Sequence, residues 1–81
     1  MPSDAFPGID AHPDVCGGDA CIVRTRIPVW LLEQARRLGV TEQMLLASYP
    51  SLRGEDLVNA RNYARAHAAE IDVQIRENES A

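Results

Sequence analysis

Eighty-one residues, 46% apolar and 25% charged, have the ordinary composition of one small folded domain, too short for a catalytic domain and a separate binding domain together. No uncharged stretch is long enough to span a bilayer, and no charged start with an apolar core opens the chain, so a cytoplasmic protein with no membrane partner is expected. The net charge of −4 argues against a nucleic-acid partner only as an average: 1–23 carry four Asp and no Arg, 24–65 seven Arg against four acids, and 66–81 one Arg against four acids.

Residues 1–8, with Pro2, Ser3, Asp4, Pro7 and Gly8, read as a flexible arm, and 9–77 as a single domain. Within 9–29 three short extended segments are expected, 9–11, 21–23 and 26–29. Pro13-Asp14 and Gly17-Gly18-Asp19 supply the turn chemistry between the first two. Strands this short bury too little area to stand alone and need helices, or a second copy of the chain, to cover them. His12, Cys16 and Cys21 form an H-x3-C-x4-C triple. It lacks the fourth ligand and the tighter spacing of a structural zinc site, so no metal or other cofactor is expected, and the cysteines read as reduced thiols.

Pro28 suits the entry to a first helix, 29–38, with Leu31, Ala35 and Leu38 inward and Glu33, Arg36 and Arg37 outward. Gly39 reads as its left-handed cap. Thr41 then caps a second helix, 41–49, that buries Leu45 and ends at Tyr49-Pro50. A third helix is expected over 54–77, with Leu57, Ala60, Ala64, Ala68, Ile71 and Ile75 on one stripe, followed by a tail, 78–81. That stripe is longer than two short helices can cover, so its second half is expected to pack on a partner chain; fraying after Ala69 is the alternative.

Three helices of these lengths match a helix-turn-helix layout, and geometry alone equally permits any three-helix bundle. In the helix-turn-helix reading, the face of the third helix opposite its core carries Glu55, Asn59, Asn62 and Ala66. Asn59 and Asn62 can pair with adenine edges, and Arg53, Arg61 and Arg65 can reach phosphates or guanine. Arg24 and Arg26 extend the candidate DNA-binding set. Glu55 and Asp56 at the helix start complement its dipole rather than a polyanion. No phosphate loop, paired carboxylates, zincin motif or hydroxyl with a suitably spaced His occurs, so no enzyme is expected.

The stretch from Gly17 to Ala64 carries Gly17-Gly18, Cys21-Ile22, Thr25-Arg26-Ile27-Pro28-Val29, Gly39, Thr41-Glu42, Tyr49-Pro50, Leu52 and Glu55-Asp56-Leu57. In these pieces the chain resembles the bacterial family called domain of unknown function 433, described as VapB-like antitoxins. The chain departs from the family pattern at Asp19-Ala20, where Lys-Pro is common, at Arg24, where Gly is common, and at Arg53, where a Thr cap is usual. Arg24 suggests that a left-handed backbone is dispensable there.

The resemblance implies a mainly α, homeodomain-like three-helix fold behind a small N-terminal β element of two or three strands, often dimeric. It also implies a toxin–antitoxin context with a PIN-like nuclease partner. Such nucleases hold metal with clustered carboxylates, which an antitoxin Arg can block; Arg76, with Ile71 and Ile75 before it, is the candidate here, and an exposed helix-end Arg that favours the helix dipole is the alternative. The expected function is an antitoxin that binds this toxin and operator DNA, working as a homodimer. A stand-alone DNA-binding regulator and a plain dimerisation or adaptor domain are the alternatives.

Overall fold

A computed structural model describes residues 8–10 and 19–80. Two two-residue strands, β1 (Ile9–Asp10) and β2 (Cys21–Ile22), pair antiparallel with Ile9 opposite Ile22. The expected third strand is reduced to a single bridge between Cys21 and Pro28. Pro28 has no N–H to donate and the first helix begins at the next residue, so the ladder cannot extend. The expected arm and the His12 and Cys16 readings lie outside the described residues, apart from Gly8. Cys21 is buried within the sheet.

Residues 22–27 form a tight turn closed by the Ile22 N–H donating to the Ile27 carbonyl at 2.9 Å. The Thr25 hydroxyl pins it from inside, donating to the Ile22 carbonyl at 3.0 Å and accepting from the Ile27 N–H at 3.1 Å. Arg24 and Arg26 adopt φ of 71° and 57°. The expectation that a left-handed backbone is dispensable at Arg24 is therefore corrected: the conformation is kept without glycine. Each L-residue there costs about 1–2 kcal/mol, offset by the hydrogen bonds that close the turn.

Four helices follow: α1 (Val29–Arg37), α2 (Glu42–Ser48), α3 (Gly54–Ala66) and α4 (Ala68–Ser80). α1 buries Val29, Leu32 and Glu33, whereas Leu38 is 75% exposed. The expected inward stripe of Leu31, Ala35 and Leu38 is thus rotated, with Leu31 and Ala35 at its half-buried margin. Val29, at 0% exposed, and Leu32 set the inward face from the start of the helix. Gly39, at φ 88°, closes α1 with Val40 N–H bonded to the Ala35 carbonyl and Gly39 N–H to that of Arg36, a Schellman cap that leaves Leu38 on the outside.

Thr41 caps α2 as expected, its hydroxyl accepting from the Met44 N–H at 3.2 Å, and Leu45 is the residue α2 buries. At the start of α3 the carboxylate of Asp56 accepts the Arg53 N–H at 2.9 Å. Asp56 is buried and supplies the capping function that Arg53, a pure donor, cannot.

The single third helix expected over 54–77 is corrected to two helices, hinged at His67 with φ −123° and ψ 41°. α4 folds back onto α1 and runs on through Ser80, replacing the expected tail. A straight helix would leave Ile71 and Ile75 in solvent. Breaking it costs a turn of hydrogen bonding, about 1 kcal/mol per bond, and buries two isoleucines at about 1.5–3 kcal/mol each. Ile71 is 0% and Ile75 5% exposed, so this chain's own α1, not a partner chain, covers the second half of the stripe. The core joins Ile9, Ile22 and Ile27 to Val29, Leu32, Leu45, Leu57, Ala60, Tyr63 and both isoleucines of α4. No described helix is long and apolar enough to cross a membrane.

Candidate nucleic-acid interface

α3 presents Leu57, Ala60, Tyr63 and Ala64 to the core, which turns Glu55, Val58, Asn62 and Arg65 outward. Asn62 stands near the middle of this exposed face. Val58, an apolar side chain 58% exposed, stands beside it. Asn59 is placed differently from the expectation. It is half-buried, and its side chain lies so close over Gly8 that a Cβ added there would sit 2.5 Å from the Asn59 amide nitrogen. The turn before β1 therefore covers Asn59, and α3's free face centres on Asn62.

Of the expected arginines, Arg61 and Arg65 come together, one turn apart on the side of α3 that meets α1. They line a groove with Arg36 and Arg37 of α1, Glu33, and the small side chains of Ala64 and Ala68. Arg36 and Arg61 also edge the neighbouring apolar cleft beside Leu45, where Glu42 stands. Arg53 is exposed at the start of α3. Arg24 and Arg26 line a different groove, on the β-turn, with Asp10 and Thr25. Arg76 is exposed on α4, beside Leu38, Arg37 and Glu79. Ile71 and Ile75, expected at a toxin interface, are core residues and unavailable to a partner while α4 is docked; that expectation is corrected.

The groove's organising residue, missed in the sequence reading, is Glu33. Only 8% exposed, it grips Arg36 side-on through Nε at 2.9 Å and Nη2 at 2.7 Å and accepts from Arg37 Nε at 2.9 Å. Arg37 continues to Asp72 of α4 at 2.6 Å. The Arg36 hydrogen bonds hold the Glu33 carboxyl below the ordinary glutamate range against the opposing effect of burial, with Arg37 adding to them. Conversely, hydrogen bonding to Glu33 raises Arg36, and hydrogen bonding to Asp72 and then Glu33 raises Arg37. The available signal was the spacing: a Glu three and four residues before two arginines marks a helix-face ion network.

At the α3–α4 hinge Tyr63 stacks on His67, ring centroids 4.2 Å apart, and its hydroxyl donates to Glu70 at 2.9 Å. Burial, with Glu70 adding, pushes the Tyr63 hydroxyl up to about 12.

The family model described as protein of unknown function (DUF433) matches residues 9–64. The chain belongs to the DUF433 family. The DUF433 chain is also similar to a solved structure, a DUF433 member protein from Anabaena variabilis ATCC 29413. Identity is 41% and the TM-score 0.83, over 93% of this chain and 74% of that one. The family segment stops inside α3, while the structural likeness leaves too few residues uncovered to omit all of α4. No curated protein matches the chain.

Proposed function

We propose that this DUF433 chain is the helix-turn-helix module of a bacterial antitoxin, acting in the cytoplasm by binding rather than catalysis, with duplex DNA as one ligand. On this reading α1, α2 and α3 are the homeodomain-like unit, α2 and α3 form the helix-turn-helix, and α4 is an added brace on α1. The observation that carries it is the free face of α3, where Asn62, Val58 and Arg65 stand exposed together after the Tyr49-Pro50 turn. Asn suits an adenine edge, a branched apolar side chain suits the thymine methyl, and Arg suits guanine or phosphate. A homodimer would set two such faces on one duplex; the two-residue strands still favour it, although the stripe on α4 no longer requires it.

The test is fluorescence anisotropy with a labelled duplex from the DNA upstream of the coding region. Log affinity should fall linearly with log salt. Arg53→Ala should reduce that slope by about 1 at every sequence, and Asn62→Ala should narrow the preference for upstream over random duplex about ten-fold. No binding to any duplex at low salt would sink the DNA reading.

The protein arm of the antitoxin reading rests on Arg76, which stands exposed on α4 next to the exposed Leu38. A guanidinium there can pair with the clustered carboxylates of a PIN-like nuclease. Co-expression with the product of the adjacent gene should give a complex that Arg76→Ala weakens. Failure to co-purify, with no relief of that product's toxicity, removes this arm and leaves the DNA arm standing.

A further inference from the structure

We infer that the groove between α1 and α3 is a seat for one phosphate oxyanion, held by Arg36, Arg61 and Arg65; that the oxyanion is a backbone phosphodiester rests on the DNA-binding reading above. The groove brings four arginines against Glu33, and the other acid in contact with them is Asp72, on Arg37. Among the described residues these two are the carboxylates ion-paired with the four guanidiniums, and Glu42 stands by Arg36 and Arg61 only at the neighbouring cleft, so Arg61 and Arg65 have no ion-pair partner. Arg37 is committed at both its Nε and Nη2. Arg36 spends Nε and one Nη2 proton on Glu33, which fixes its plane and leaves three of its five N–H donors for a ligand.

Among the described residues no ion pair holds Arg61 or Arg65. Their i,i+4 placement sets two like-charged side chains one turn apart on the same helix face, an unfavourable arrangement that a bridging anion relieves. A fold that spends its buried carboxylate on orienting Arg36, and neutralises neither arginine opposite, is arranged for an anion from outside. Donors arriving from two helices can reach different oxygens of one tetrahedral oxyanion at the same time. The small side chains of Ala64 and Ala68 along the groove leave room for it.

The experiment follows the arginine Nε–Hε resonances of the whole 15N-labelled chain during separate titrations with a short duplex and with inorganic phosphate. The duplex should shift Arg36, Arg61 and Arg65 together with one Kd. Arg61→Ala with Arg65→Ala should lower the salt slope of duplex binding by about 2, whereas Asn62→Ala should leave that slope unchanged. The Arg61→Lys, Arg65→Lys variant, which keeps the charge, should retain most of the slope, and circular dichroism should show both double variants folded.

If the duplex binds but the double alanine variant keeps the full slope, the seat is overturned and the DNA reading survives. If no duplex binds while inorganic phosphate saturably shifts the same three arginines, the seat stands as a free-phosphate site and the DNA reading fails. If neither ligand moves these resonances, the inference is wrong.

Discussion

Ile71→Ala should lower the unfolding free energy by about 3–4 kcal/mol, the middle of the range for truncating a buried isoleucine. Ile71 is 0% exposed and is held where α4 crosses α1, with Ile75 a turn later at the thinner end of the same contact. The other contacts that hold α4 are polar and partly solvated, among them the Tyr63 hydroxyl donating to Glu70 at 2.9 Å, the Arg37–Asp72 ion pair and the Gln74 amide donating to Asp19 at 3.2 Å. The loss should therefore be local as well as global, with hydrogen-exchange protection falling first along α4 and its amides opening before those of α1 and α3. Val73→Ala is the control. Val73 is 50% exposed on the outer side of α4, and its truncation should change stability by no more than about 0.5 kcal/mol. Equal small effects at 71 and 73 in urea melts would mean that α4 does not dock on α1 in solution.

The contrast between those two positions marks what the sequence could and could not disclose. Local signals were legible: Gly39 as a left-handed cap, Thr41 as an N-cap and Tyr49-Pro50 as a stop each act through their own backbone. The inward face of α3 was legible too, because Leu57, Ala60 and Ala64 repeat at helical spacing. The hinge at His67 was not. No glycine or proline stands there, and the periodic stripe runs through it unbroken. Only the tertiary gain of laying Ile71 and Ile75 on α1 breaks the helix, and that gain depends on residues more than thirty positions away.

Much the same holds for the site. Arg61 and Arg65 were legible as a basic pair on α3, but their assembly with Arg36 depends on the packing of α1 against α3. Asn59 looked equivalent to Asn62 by spacing and differs from it because Gly8 lies over it. The spacing of Leu31, Ala35 and Leu38 placed Glu33 on the outer face of α1. Glu33 follows Val29 at i+4 and Leu32 at i+1, and the packing of those two in the core carries it inward. The left-handed Arg24 shows the converse: its hydrogen-bonded turn holds the conformation without a glycine.

Glu33→Gln should cost about 1–2 kcal/mol at pH 7, where the carboxylate is ionised and accepts three charge-assisted hydrogen bonds. The exposure of Arg36 and Arg37 limits the loss, since water can take over their donors. The pH dependence is more specific. The folded-state value of Glu33 lies below its ordinary 4.5, so its contribution is fully present above pH 4.5 and is lost as pH falls through the depressed folded value. Between those two points the wild type should lose stability on acidification more steeply than the Gln variant, by at most about 1.4 kcal/mol per pH unit for one proton. The two stability curves should converge at the acid end. Melts at several pH values between neutrality and pH 3 measure the difference directly, and parallel curves over that range would show that the Glu33 carboxylate gains nothing from the arginines beside it.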